Sequence, residues 1–172
     1  MSRYFQNGGR EYVLEDFHTP RPLLNYSWNK RFLSAFNHVA TGHGLYCDKT
    51  TITATYIDPR GRVKLIHDGN RYFYLRDAES GVLWNVAGYP TNTPLDSYRC
   101  TMGLGYAVYE AQWDEVASRA RVFVNAEDPC EIWTITLKNR SKRPRRIQLF
   151  PLVEWSLEGY VPKSDYFSYL YT

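Results

Sequence analysis

Apolar and polar residues alternate with a period of two along much of the chain, which is typical of strands that bury one face. In residues 116–124 the small and apolar side chains share one face, whereas Arg119 and Arg121 share the other. Residues 132–137 alternate in the same way, with Trp133 on the apolar face. Each pattern predicts a strand with one side against a core.

Neighbouring strand patterns predict two hairpins. Residues 72–75 and 82–84 form the first pair, separated by the turn-like segment 77–81. Residues 105–113 and 116–124 form the second pair, around Asp114-Glu115. Such short connections make the paired strands antiparallel.

Three further segments carry strand signals of different strength. Residues 51–57 are rich in β-branched side chains and end at the turn-forming residues 58–61. Residues 146–155 predict a strand in which Pro151 marks a bulge or a sheet edge, because proline has no amide hydrogen. Residues 29–38 fit either a short helical turn or a strand.

Many short strands without a long amphipathic helix predict an all-β fold, an antiparallel β-sandwich. The 172 residues suit one such domain with a sizeable core. The final residues, 166–172, form a strand-like aromatic run with no polar tail. Because an unpaired apolar edge strand promotes aggregation, we expect the sandwich to be truncated at Thr172 and the protein to continue.

Aromatic residues make up 16% of the chain, with 15 tyrosines and 5 tryptophans. Strand packing explains most of them, because flat rings suit a pleated, half-buried surface. The more specific alternative is that some of these rings bind sugars by stacking on the apolar faces of the sugar rings.

The net charge of +3 is too small for a nucleic-acid-binding domain, and we expect no nucleic-acid partner. The exception is the segment 138–146, which holds six basic residues. We interpret it as a solvated hairpin loop rather than a binding patch for phosphate, a polyanion or a partner.

The three cysteines, Cys47, Cys100 and Cys130, are too widely spaced for a zinc motif or a disulfide framework. The N-terminal residues lack the apolar stretch of a signal peptide, and no apolar run reaches membrane-spanning length. These features predict a cytoplasmic protein with no membrane partner.

The acidic residues do not form a recognisable catalytic pair. Most are expected to be solvated or structural, with Asp77 bonding nearby backbone amides and Glu154 partly buried and paired. The candidates considered are Glu11, Asp16, Asp77, Glu79, Glu110, Asp114, Glu131 and Glu154.

The other candidate motifs are weak. Four histidines are scattered, so no metal site is predicted, and Gly42-His43-Gly44 is interpreted as a turn. Gly103-Leu104-Gly105 lacks the third glycine and the helix of a phosphate-binding loop. The residues alone therefore predict a binding or assembly domain.

Several short strings, in this order and spacing, make the chain similar to a known family. They are Arg10-Glu11-Tyr12-Val13, Thr19-Pro20-Arg21-Pro22-Leu23-Leu24-Asn25-Tyr26, Arg71-Tyr72-Phe73-Tyr74-Leu75-Arg76-Asp77, Met102-Gly103-Leu104-Gly105-Tyr106, Glu131-Ile132-Trp133 and Val153-Glu154-Trp155. From residue 10 to about residue 155 the chain resembles the start of the glycoside hydrolase family 94 disaccharide phosphorylases. This family includes cellobiose and chitobiose phosphorylases and the phosphorylase part of cyclic β-1,2-glucan synthases.

The resemblance implies a supersandwich of the galactose-mutarotase type, here covering residues 1–172, followed by an (α/α)6 barrel beyond residue 172. In the family, the barrel carries the general-acid Asp and the phosphate pocket, so no catalytic residue is expected in this chain. The enzymes invert the anomeric centre of a β-linked oligosaccharide. They use inorganic phosphate as co-substrate and need no metal or organic cofactor.

The resemblance also implies a homodimer, in which the sandwich of one subunit helps to close the acceptor site of the other. The segment 159–166 is the expected reaching loop, and Lys163, Asp165 and Tyr166 are its candidate sugar-binding residues. An ordinary surface loop is the alternative for each of them.

Two departures from the family pattern argue against cellobiose as the substrate. The family commonly has Arg-His before Gly-Leu-Gly-Tyr, where this chain has Thr101-Met102, and residues 155–172 contain no arginine. A different β-linked gluco-oligosaccharide is therefore expected. The competing hypotheses are a free-standing carbohydrate-binding β-sandwich and, with less support, an independent mutarotase-like enzyme.

Overall fold

The computed structural model describes residues 3–20, 23–46 and 64–155. One short 3-10 turn, Asn7–Gly9, interrupts an otherwise all-strand architecture in these residues. The strands are β1 (Arg3–Gln6), β2 (Glu11–Leu14), β3 (Leu24–Trp28), β4 (Phe32–Asn37), β5 (Gly42–Tyr46), β6 (Lys64–Asp77), β7 (Leu83–Asn85), β8 (Ser97–Gly103), β9 (Tyr106–Trp113), β10 (Val116–Val124), β11 (Glu131–Asn139) and β12 (Ile147–Trp155).

The strands form two antiparallel sheets. Sheet A has the order β1-β2-β8-β9-β10-β11, and sheet B has the order β12-β6-β5-β4-β3, with β7 also paired to β6. The chain changes sheet after β2, after β7 and after β11. The predicted all-β sandwich is confirmed.

The core lies between the sheets and draws on both. Along β10 the buried residues alternate with exposed or half-buried ones, as the sequence pattern predicts. Trp84 of sheet B and Tyr109 of sheet A are both fully buried in this cluster, which buries large aromatic surfaces at the centre of the domain.

Both predicted hairpins are present. β6 pairs with β7, and β9 pairs with β10 through the two-residue turn Asp114-Glu115. Both turn residues have positive φ, 42° and 63°, which matches the right-handed twist of the flanking strands. The ambiguous segment 29–38 contains strand β4 and no helical turn.

Two sequence interpretations of the connections are wrong. The residues Gly42-His43-Gly44 begin strand β5, and the turn lies just before them. A Cβ at Gly42 would lie 2.7 Å from the carbonyl carbon of Ala35, so glycine is needed for close strand approach rather than for a bend. The basic segment 138–146 joins sheet A to sheet B, so it is not a hairpin loop.

Strand β12 runs through Pro151 without a break. Pro151 lies opposite Phe73 of β6, and the register shift comes later, between Val153 and Trp155. In the described part of the chain β12 pairs with β6 alone, so the missing amide hydrogen of Pro151 interrupts no pairing with another described strand. The strand predicted at residues 51–57 lies outside the described residues. No helix found in the described residues is long and apolar enough to cross a membrane.

Candidate functional site

The three residues predicted to contact sugar, Lys163, Asp165 and Tyr166, lie outside the described residues. Glu154 belongs to β12, but its side chain also lies outside what the structure describes. The candidate surfaces described below come from the remaining polar and aromatic side chains.

Three of the family-like strings meet at the hairpin between β8 and β9. The Tyr106 hydroxyl donates to the Glu11 carboxylate, and Asn25 Nδ2 donates to the carbonyls of Gly103 and Tyr106 at 2.8 and 2.9 Å. We call this group of four residues the hairpin junction. Its strings are far apart in sequence, and their shared role is to fix β2 and β3 to this turn.

A second meeting point, the interior ion pair, links the two sheets. Arg71 of β6 and Glu131 of β11 form a salt bridge whose side chains are 1% and 7% exposed. Arg71 Nη2 also donates to the Ala35 carbonyl at 3.1 Å, and its guanidinium lies 5.4 Å from the centre of the Trp133 ring. Two more family-like strings thus serve inter-sheet packing.

The buried pair Asp77–Arg145 joins the end of β6 to the connection between β11 and β12. Both side chains are almost fully buried, at 1% and 2% exposure, and Arg145 Nη1 also lies 3.0 Å from Asp114. Asp77 Oδ1 accepts hydrogen bonds from the amides of Glu79 and Ser80, which confirms its predicted local role. The other five basic residues of segment 138–146 are exposed, as predicted, although Lys138 belongs to β11; the prediction of a solvated side chain is wrong for Arg145.

The electrostatics of these carboxylates disfavour an acid catalyst. Hydrogen bonds from Tyr106 and then Gln6 lower the pKa of Glu11. Burial alone would raise the pKa of Asp77, but the bonds from Arg145 and the amides of Ser80 and Glu79 together hold it below its usual value. A general acid for glycosidic cleavage needs a raised pKa, so neither residue suits that role.

The outward-facing side of sheet A, which we call the polar face, carries alternating charges. Arg99, Glu110 and Arg119 are cross-strand neighbours in one row, and the Glu110–Arg119 pair is 3.9 Å apart. Grooves of about 410 and 620 Å³ lie on this face and share these three residues. A broad surface of this kind suits a polar partner.

A smaller depression, which we call the tyrosine cleft, lies beside the turn that connects β4 and β5. It has a volume of about 330 Å³. The rings of Tyr72 and Tyr89 lie 6.3 Å apart at 52°, and Tyr89 is 43% exposed. The cleft is lined by Phe17, His18, Asn37, His38, Val39, Thr41, Tyr72, Tyr89 and Asn92.

His38 holds one wall of the tyrosine cleft. Its Nδ1 accepts the Leu23 amide at 3.3 Å, so Nε2 carries the proton and donates to the Phe17 carbonyl at 3.1 Å. Burial lowers the pKa of His38, which favours the neutral form of the ring. The histidine is therefore structural, and in the described residues no cluster of three metal-ligating side chains occurs.

Sequence reasoning missed the two buried ion pairs and the role of His38. The partners in each pair are 60 and 68 positions apart, so no local spacing signals them. The hairpin junction could have been predicted, because its residues belong to the family-like strings identified in the sequence.

Comparison with known proteins identifies the family to which most of the chain is similar. The profile of the glycosyl hydrolase 94 supersandwich domain matches residues 10–167. A solabiose phosphorylase of Paenibacillus borealis is 53% identical over 97% of this chain and 22% of its own length. A 3-O-beta-D-glucopyranosyl-beta-D-glucuronide phosphorylase of the same species is 35% identical over 91% of this chain and 18% of its own.

A more distant match is an N,N'-diacetylchitobiose phosphorylase of Vibrio proteolyticus, which is 31% identical over 89% of this chain and 19% of its own length. The chain therefore spans about a fifth of the length of these curated relatives.

Proposed function

The chain belongs to the glycosyl hydrolase 94 family through its supersandwich domain, and from this premise we propose that it is the N-terminal domain of an inverting β-glycoside phosphorylase. Its role there is to bind carbohydrate and to form the dimer, whereas the chemistry belongs to a barrel that follows it. The observation that carries the proposal is the match over residues 10–167, together with the three relatives reported above, each of which is named as a phosphorylase.

The state of the carboxylates supports this division of labour. Glu11 and Asp77 have lowered pKa values, and Glu131 is committed to the interior ion pair. Each of them stabilises the fold. An acid supplied from outside the domain is consistent with this arrangement.

The proposed reaction transfers a glycosyl group to phosphate. The barrel acid protonates the leaving glycosidic oxygen while a phosphate oxygen attacks the anomeric carbon from the opposite face. The carbon–oxygen bond of the β-glycoside breaks, an α-sugar 1-phosphate forms, and the second sugar leaves with the proton. Since phosphate is the nucleophile, the reaction requires neither a second carboxylate base nor a cofactor.

We assign the dimer contact to the polar face, because its row of alternating arginine and glutamate suits a charged partner surface. Lys163, Asp165 and Tyr166 remain the proposed reaching residues for the acceptor sugar of the partner subunit. A cytoplasmic location fits an enzyme that consumes inorganic phosphate.

The proposal is tested on the complete protein that contains this domain. β-Linked disaccharides, with solabiose and N,N'-diacetylchitobiose among them because of the named relatives, are incubated with inorganic phosphate, and sugar 1-phosphate is measured. We expect phosphate-dependent release by the complete protein and none by residues 1–172. Turnover by residues 1–172 alone would contradict the proposal.

The half-exposed rings of the tyrosine cleft favour one alternative, a free-standing carbohydrate-binding module. The two functions differ in a single respect: the module binds oligosaccharides but never consumes phosphate. A complete protein that binds sugar and shows no phosphorolysis of any β-disaccharide would favour the module.

A further inference from the structure

The tyrosine cleft has the mixed lining of a small-molecule site. Small-molecule pockets are mostly apolar, with a few polar groups that fix orientation, and occupy roughly 300–1,000 Å³. At about 330 Å³ the cleft is at the small end of this range. It has room for one monosaccharide unit rather than a long chain.

Two aromatic pairs provide its apolar surface. Tyr72 and Tyr89 are 6.3 Å apart, and the rings of Phe17 and His18 are 4.1 Å apart at 36°. The Tyr72 ring is backed by Tyr74 at 5.8 Å. Exposed ring faces of this kind match the apolar C–H faces of a pyranose.

The polar groups of the cleft fall into two classes. Asn37 is fully engaged, since its Oδ1 accepts the amides of Val39 and Thr41 and its Nδ2 donates to Thr41 Oγ1 at 2.7 Å. By contrast, the side-chain amide of Asn92 and the hydroxyl of Tyr89 have no hydrogen bond to any described residue, and only the Asn92 backbone amide is bonded, to the Gly88 carbonyl. The wall that contains Asn37 is therefore fixed, whereas the side-chain amide of Asn92 and the hydroxyl of Tyr89 are available to bind a ligand.

The charge of the lining restricts the ligand. No lysine, arginine, aspartate or glutamate is among the described residues that line the cleft. His18 Nδ1 lies 3.5 Å from Asp16 Oδ1, and the His18 side chain is 72% exposed. Among the described residues, a carboxylate or phosphate bound here would find no lysine or arginine in the lining, so a neutral ligand fits best.

We propose that the tyrosine cleft binds one unit of a neutral sugar, with Tyr89 as the stacking ring and Asn92 as the hydrogen-bonding amide. The choice of a sugar rests on the proposed function, whereas the choice of residues rests on the cleft itself. The site would hold an oligosaccharide chain to the domain without taking part in its cleavage.

The test is an NMR titration of residues 1–172 with methyl β-glucopyranoside and with cellotetraose. We expect saturable shifts of amides in segments 17–18, 37–41 and 88–92, with a dissociation constant in the millimolar range. Tyr89→Ala and Asn92→Ala should each weaken binding by about tenfold, roughly 1.4 kcal/mol. Tyr26→Ala is the matched control, because Tyr26 is 44% exposed on an edge strand and does not line the cleft.

The unperturbed amide spectrum of each variant shows whether its fold is intact, and two independent variants keep the test decisive. Shifts confined to another surface, an affinity unchanged in both cleft variants, or tighter binding of methyl β-glucuronide would overturn the proposal. Because phosphorolysis by the complete protein is measured separately, failure of the cleft to bind sugar leaves the proposed enzyme function standing, and absence of phosphorolysis does not change the result of the binding titration.

Discussion

The side chain of Tyr106 lies over Gly103, its direct cross-strand partner in the β8–β9 hairpin. A Cβ at Gly103 would come within 2.7 Å of the Tyr106 hydroxyl oxygen and closer still to two ring carbons. The ring covers the glycine backbone, and its hydroxyl donates to Glu11. Gly105 occupies the turn with φ of 77°. Gly-Leu-Gly-Tyr is therefore a packing motif, with one glycine for the ring and one for the turn.

Substitution at this contact should destabilise the domain. In Gly103→Ala the Tyr106 ring must leave its position and lose its bond to Glu11, so we expect a loss of about 1–3 kcal/mol in the free energy of unfolding. Urea denaturation monitored by circular dichroism measures it. Adding Tyr106→Ala removes the clash, so the two losses should combine to less than their sum. Strict additivity would show that the contact is unimportant.

Loss of one partner of the interior ion pair should lower the free energy of unfolding far more than loss of one partner of a surface pair. Glu131→Ala leaves Arg71 buried without its anionic partner, and we expect a loss of about 3–5 kcal/mol. Glu110→Ala is the control, because the Glu110–Arg119 pair is about half exposed and should contribute less than about 1 kcal/mol. Denaturation midpoints compare the two. Equal losses would contradict the assigned role of Arg71.

Acid should weaken the domain in part through Asp77. Because its pKa is lowered in the folded state, the stabilisation is complete above the ordinary carboxyl pKa of about 4 and is lost as pH falls through the lower folded value. Asp77→Asn should therefore be less stable than the parent chain at pH 7, and the gap should narrow in acid. Unfolding curves across this pH range test it. A gap independent of pH would show that Asp77 is not held ionised.

The thiols should differ sharply in reactivity. Cys100 is completely buried, and burial raises the pKa of its thiol well above the usual value, whereas Cys130 is exposed. We expect iodoacetamide to modify Cys130 in the native chain and Cys100 only after unfolding, because the thiolate is the reactive form. Peptide mass mapping distinguishes the two sites. Rapid native labelling of Cys100 would contradict its core position.

The sequence pattern predicted the strands better than their partners. Alternation was enough for β9, β10 and β11, since local side-chain period sets which face is buried. It could not reveal that segment 138–146 changes sheet, because strand pairing depends on tertiary packing. Arg145 is an example of this limit. A residue in a basic run is expected to be exposed to solvent, yet the Arg145 side chain is buried because it pairs with the buried Asp77, which is far away in sequence.

The tyrosine cleft was not predicted from the sequence. Exposed aromatics suggested sugar stacking, but nothing local joined Tyr72 to the loop that carries Tyr89 and Asn92. Gly42 was assigned to a turn and Gly103 received no structural role, whereas both glycines admit close approach of another group. Such contacts are made between neighbouring strands, so they can be predicted only when the pairing register of those strands is known.

The anomeric configuration of the product tests the central claim most directly. The complete protein that contains this domain is incubated with a β-linked disaccharide and phosphate, and early products are followed by proton and phosphorus NMR. The account predicts an α-sugar 1-phosphate that appears only when phosphate is present. A β-sugar 1-phosphate, or free sugar released by water at the same rate without phosphate, would contradict an inverting phosphorylase.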